Sequence, residues 1–218
     1  MVATLILIEF FAGSLMFSYW LGRLAGKRLE EVRDGNPGAY NLAHAAGFKW
    51  GVVGALLDFF KGYFPLVYFL RGGWVPERAV PLVAIAPVLG HAFSPFLKFK
   101  GGKALAVTYG VWSAVTSFQG SLVYAVTMGF GKLCERIYNR GKPSRPEVDA
   151  MLDIAGFIAV GIFLVAAGFA SSLLQLWVLN FAVLVFKRKM DFSLLIKSKL
   201  RGEEVKKRRK KGKSCPGG

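Results

Sequence analysis

The chain has 218 residues, 54% of them hydrophobic, yet 29 Lys and Arg against 13 Asp and Glu leave a formal net charge of +16. A soluble domain so basic rarely carries so much apolar surface, but the two agree when apolar runs lie in lipid and charge lies in loops. Cys134 and Cys215 are the only cysteines, without a CxxC or Cys/His cluster. That argues against a disulfide framework or a zinc site, and nothing points to a cofactor or a metal.

A bilayer core about 30 Å thick needs roughly 20 apolar residues of helix. In chain order the predicted spans are 2–22, 48–70, 79–97, 104–117, 120–138, 150–170 and 172–187. The first run has almost no positive flank and no small-residue cleavage pattern, so it reads as a retained span. The fourth is short, and as a tilted, half-inserted or re-entrant segment it would leave six crossings rather than seven. No internal repeat is visible.

Charge sets the orientation. Arg23, Lys27, Arg28, Arg33 and Lys49 follow the first span; Lys98, Lys100 and Lys103 follow the third. Lys132, Arg136, Arg140, Lys142 and Arg145 follow the fifth, and 13 more basic residues lie from Lys187 onward. Lys and Arg accumulate in cytoplasmic loops, which predicts an N-terminus outside, a C-terminus inside and an odd number of crossings. Seven is therefore preferred. The expected fold is an all-α, multi-pass cell-membrane protein. Residues 1–190 form one transmembrane domain, and 191–218 form a basic, partly disordered juxtamembrane cytoplasmic tail. The tail follows directly on a span, so anionic membrane lipids rather than nucleic acid are its expected partner. Residues 192–200 could lie along the interface as a short helix.

Two cytoplasmic loops hold candidate chemistry. In the first, Gly35-Asn36-Pro37-Gly38-Ala39-Tyr40-Asn41, glycine allows positive φ and close backbone approach. Its exposed N–H groups can form an anion-binding nest, although an ordinary interhelical turn fits the same residues. In the second, His91 precedes Lys98-Phe99-Lys100-Gly101-Gly102-Lys103. Its glycines would expose N–H groups and its lysines would supply charge for a phosphate. It is not a P-loop, because Ala104 follows Lys103. His91 suits a substrate contact or a hydrogen bond to a neighbouring loop equally well. Inside the spans are Glu9, Asp58 and Lys61. The last two stand three apart on one helix face and read as a structural ion pair, with a proton or ion pathway as the sharper alternative.

In this order the residues resemble the acyl-phosphate:glycerol-3-phosphate acyltransferase family, the PlsY type. The likeness runs over most of 10–115. It rests on Gly35-Asn36-Pro37-Gly38-Ala39-x-Asn41, on Asp58-x-x-Lys61-Gly62, and on Leu89-Gly90-His91-x-Phe93 through Phe99-Lys100-Gly101-Gly102-Lys103. The resemblance implies a seven-helix enzyme working at its cytoplasmic face. It would move a fatty acyl group from acyl phosphate to the sn-1 hydroxyl of glycerol 3-phosphate, giving lysophosphatidate and phosphate. The substrate and phosphate-binding set it implies is Gly35, Asn36, Gly38, Asn41, His91, Lys100, Gly101, Gly102 and Lys103. Lys103 matches the family lysine implicated in holding substrate phosphate. The donor is already activated, so no covalent nucleophile is needed and no catalytic residue is assigned.

The chain departs from the family pattern in places. Asp34, Tyr40 and His44 stand where the first motif carries Ser, Thr and Arg, and Ala104 replaces a glycine. The third motif aligns in two ways, placing either Arg188 and Asp191 or Phe192 and Leu195 at its His and Asn positions. Three functions follow from these features. The acyltransferase leads, with an altered or silent relative that binds phosphate-bearing lipid or precursor as the alternative. A transporter ranks below both, because the informative loops lie at one surface rather than near the midplane.

Overall fold

The computed structural model describes residues 1–141, 144–189 and 191, and its regular elements are helical. In chain order they are α1 (Val2–Ser14), α2 (Phe17–Leu24), α3 (Ala39–Ala46), α4 (Phe48–Arg71), α5 (Val80–Ala92), α6 (Leu105–Val115), α7 (Gln119–Tyr138) and α8 (Pro146–Ala166). A ninth helix, α9, runs over residues 171–189. Apart from Asp191, the expected tail lies outside the described residues, as does Lys142.

Among the described residues, four stretches are long and apolar enough to cross a membrane: Val2–Leu24, Phe48–Arg71, Glu77–Leu97 and Pro146–Ala166. Their outward faces carry exposed apolar side chains such as Leu7, Phe11, Leu56, Phe64, Ile162 and Val165. So broad an apolar surface suits lipid and not water. The short segment expected over 104–117 is α6, with 11 residues. At 1.5 Å per residue it is roughly 16 Å long, about half the hydrocarbon core.

Two differences from the sequence-based expectation bear on the site. The first span is broken: Leu15 adopts an extended ψ of 117° between α1 and α2. A break at membrane depth frees backbone carbonyls that lipid cannot satisfy. Here Lys61 donates to Leu15 O, and Ser94 Oγ donates to Ser14 O at 2.7 Å. The second difference is α3, which starts directly after Gly38 and ends at Gly47, where φ is 99°. Eight residues of mixed polarity gave no span signal. Packed on α4, however, α3 buries Asn41 and Leu42 and holds the first loop against the bundle.

Close helix pairs organise the rest. α1 packs along α5, α4 along α6, and α7 along α8. Gly13 lies on the backbone of Pro87 and Gly90 on that of Phe10, so small residues let α1 and α5 approach without van der Waals gaps. Trp112 is fully buried and its indole donates to Asn180 Oδ1 at 3.0 Å, which ties α6 to α9. Trp177 donates to Phe157 O at 2.8 Å, tying α9 to α8. Both tryptophans hold helices together inside the bundle.

Candidate functional site

One end of the bundle gathers the loop before α3, the loop before α6, the start of α8 and the end of α9. A cavity of about 430 Å³ opens there. Its apolar wall comes from α4, α6 and α7, including Val52, Ala55, Leu105 and Met128. Its polar wall includes Asn36, Gly38, Asn41, His91 and Lys103. Gly35, Lys100, Gly101 and Gly102 stand off that wall. Asp58 also reaches it, whereas Lys61 lies behind.

The first loop is braced from within. Gly35 has a φ of +71°, with the backbone of Glu30 closing the space where a side chain would sit. Asn41 Nδ2 faces Asp34 Oδ1 at 2.8 Å, Val32 O at 2.9 Å and Asn36 O at 3.0 Å. Two amide protons shared among three acceptors make Asn41 a clamp on its own loop. Asp34 Oδ1 also accepts the Asn36 N–H at 3.2 Å. Tyr40 lines the cavity under the Arg33 guanidinium, 4.4 Å from its ring centroid. His44 is exposed on α3 with its ring edge against Tyr40.

In the second loop, Gly101 and Gly102 are buried against His91. A methyl group on Gly101 would strike His91 O, and one on Gly102 would strike the imidazole. The Gly102 N–H donates to His91 O at 3.1 Å, so this donor is spent on the fold. These glycines permit close approach of backbone to ring. Lys100 is exposed. Lys187, from α9, donates to Ala92 O and Gly101 O at 2.9 Å each, fastening the loop to the end of α5.

Lys103 is the best-placed cation. Its Nζ is 2.7 Å from Asp34 Oδ2 and 2.6 Å from Asp191 Oδ2. Burial alone would raise the Asp34 carboxyl, but Lys103, Asn41 and the Asn36 N–H outweigh it and hold Asp34 down at about 2. Arg188 contacts Asp191 Oδ2 at 3.1 Å and also pairs with Asp153. The structure thus brings Arg188 and Asp191 into the Lys103 cluster.

Behind this cluster lies a drier one. Lys61 Nζ is 2.7 Å from Asp58 Oδ1 and 2.8 Å from His91 Nδ1, and Ser18 Oγ donates to Asp58 Oδ2 at 2.5 Å. His91 sits in the last turn of α5, not in an open loop. The buried pair predicted from the i, i+3 spacing of Asp58 and Lys61 is therefore a four-residue network that also fills the break after α1.

Sequence reasoning missed Arg33, Lys132, Asp149 and Asp153, all on the cavity wall. Asp149 pairs with Lys132 and, at 3.5 Å, with Arg33. A signal was present: two aspartates four apart at the start of an otherwise apolar span fall on one helix face. Among the described residues no group of His, Cys, Asp and Glu could hold a metal.

Fold and cavity together define a multi-pass helical membrane protein whose ionic pocket abuts an apolar wall. A sequence profile described as glycerol-3-phosphate acyltransferase matches residues 3–198. The glycerol-3-phosphate acyltransferase 1 of Thermotoga maritima is 37% identical over 197 residues, covering 88% of this chain and 97% of that protein. The Aquifex aeolicus glycerol-3-phosphate acyltransferase is 28% identical over 192 residues, covering 88% and 94%. PlsY, an integral membrane glycerol 3-phosphate acyltransferase, superposes in its glycerol 3-phosphate form with a TM-score of 0.77 at 26% identity, covering 90% of this chain and 92% of that one. Its lysophosphatidic acid form gives a TM-score of 0.76 at 25% identity. The chain belongs to the glycerol-3-phosphate acyltransferase family.

Proposed function

We propose that the chain is a membrane acyltransferase of phospholipid synthesis. It transfers a fatty acyl group from acyl phosphate to the sn-1 hydroxyl of glycerol 3-phosphate, giving lysophosphatidate and inorganic phosphate. The observation that carries this reading is Lys103, a lysine on the wall of a cavity that is also lined by the apolar Val52, Leu105 and Met128. Such a cavity suits a reaction whose partners combine phosphate with a fatty chain.

The hydroxyl oxygen bonds to the acyl carbonyl carbon, the bond from that carbon to the phosphate oxygen breaks, and the hydroxyl proton leaves with phosphate. An activated donor needs no protein nucleophile, so the residues work by orientation and charge stabilisation. Lys103 meets a phosphate. Asn36, Gly38 and Asn41 hold the first loop beside it. Lys100 and the Gly101–Gly102 pair carry that lysine on a loop fixed against His91. The acyl chain lies along Val52, Leu105 and Met128 toward the bilayer.

Four segments meet at the site end of the bundle, and they are the basic ones. That supports a cytoplasmic working face, an N-terminus outside, a transmembrane domain over 1–190 and a lipid-attracted tail over 191–218. The departures from the family's first motif at Asp34, Tyr40 and His44 motivate a second reading, a relative that binds phosphate-bearing lipid or precursor without turnover. One assay separates the two: purified protein in detergent or lipid, given acyl phosphate and glycerol 3-phosphate, with phosphate release followed. Turnover that Lys103→Ala abolishes supports the enzyme. No turnover across varied donors and acceptors sinks it.

A further inference from the structure

The ionic end of the cavity is already balanced by the chain itself. Arg33, Lys103, Lys132 and Arg188 face Asp34, Asp149, Asp153 and Asp191, and each cation contacts at least one of these carboxylates. Lys103 contacts two at hydrogen-bond distance, which occupies two of its three protons. A phosphate approaching that ammonium meets two like charges bound to the same atom. Electrostatics then opposes the ligand until the carboxylates give way.

The two oxygens of Asp34 divide their work. Oδ1 accepts Asn41 Nδ2 and the Asn36 N–H, while Oδ2 accepts Lys103. The contact that builds the loop is thus separate from the contact that occupies the lysine. The Lys103 and Asp34 side chains remain 14% and 15% exposed, against 2% for each member of the Asp58–Lys61 pair. The outer pair can exchange partners with solvent or ligand; the inner one is locked.

We propose that Asp34 and Asp191 are internal competitors for Lys103: they occupy the ammonium in the empty site and set its affinity for a phosphate monoester dianion, which displaces them. This rests on the reading of Lys103 as the phosphate ligand. The two aspartates are specificity determinants that act through Lys103 and not catalytic residues.

The test measures dissociation constants for the full-length protein in detergent by titration calorimetry. Glycerol 3-phosphate and a non-reactive acyl phosphonate serve as separate ligands, so the arms distinguish acceptor phosphate from donor phosphate. Asp34→Asn keeps an oxygen for Asn36 and Asn41 while freeing Lys103. Asp191→Asn, which touches neither asparagine, carries the test if the first variant does not fold. Each is expected to tighten one ligand by about tenfold, the order of one charge-assisted hydrogen bond to phosphate. Asp34→Glu stays near the wild type, and the tightening vanishes when Lys103→Ala is added, as coupling through one residue requires. Asn variants that bind both ligands no better than wild type, or not at all, overturn the proposal, as does tightening that survives the loss of Lys103. A wild type without turnover overturns only the acyltransferase reading, since binding is measured independently.

Discussion

The Nζ of Lys61, on α4, lies 2.8 Å from the Nδ1 of His91, on α5. A charged ammonium only donates, so it fixes His91 Nδ1 as the acceptor and puts the proton of a neutral ring on Nε2. Lys61 also contacts Asp58 and Leu15 O, so one side chain joins α4, α5 and the break after α1. Lys61→Met leaves the Asp58 carboxylate buried without its partner. The expected loss is about 3–5 kcal/mol of stability, measured by unfolding in detergent. Adding Asp58→Asn recovers most of it, and nitrogen NMR of the wild type shows the Nε2–H tautomer.

Lys103→Ala removes the one cavity cation carried by the second glycine-rich loop. A drop in kcat/KM of about 100-fold or more is expected, the scale for losing a charged donor at a reacting group. Lys103→Arg retains charge but not the compact ammonium, and falls between. Steady-state phosphate release against glycerol 3-phosphate concentration measures both.

Gly102→Ala drives a methyl group into the His91 imidazole. Overpacking at a site with no slack costs about 1–3 kcal/mol, and here it also moves the loop that carries Lys103. Both the unfolding midpoint and activity should fall. A variant as stable and active as wild type would remove the packing role assigned to this glycine.

Lys187→Met strips a donor from Ala92 O and Gly101 O. Leaving those carbonyls unpaired costs about 1–3 kcal/mol. Faster hydrogen exchange confined to the amides around Gly101 is the expected signature, because α9 then no longer fastens that loop.

Acid should spare the Lys103–Asp34 contact longer than an ordinary carboxylate. Asp34 has its folded value held at about 2, against 3.8 for the free group. A depressed carboxylate stabilises the fold above its unfolded value, and that contribution is lost as pH falls from about 4 through about 2. Between pH 7 and 5 this pair is therefore constant. Unfolding of Asp34→Asn and wild type should run parallel there and converge only on stronger acidification.

Much of the fold was legible in the sequence, for particular reasons. Apolar runs long enough to cross a bilayer announce α4, α5 and α8, because lipid leaves no alternative to a helix. The short α6 was visible as a deficit of length. Asp58 and Lys61 announced their pairing because three residues is nearly one helical turn. The Leu15 break and α3 were not legible: the first depends on Lys61 and Ser94 arriving from distant segments, and the second has too little apolar length to stand out. Asp149 and Asp153 were readable as a pair on one face, but what they meet depends on α7 and α9.

The sequence by itself determined that this chain lives in a membrane, which loops are basic, and that Gly35–Asn41 and Lys100–Lys103 are candidate phosphate loops. Composition and one-turn spacings are local, and local order carries that information. Only the tertiary structure decided that Gly101 and Gly102 serve to pack against His91, that Asn41 clamps its own loop, and that Lys103 is occupied by Asp34 and Asp191. The last of these depends on contacts between residues 69 and 88 positions apart. Which oxygen reaches which ammonium is set by how the helices pack, and no spacing within a single helix encodes it.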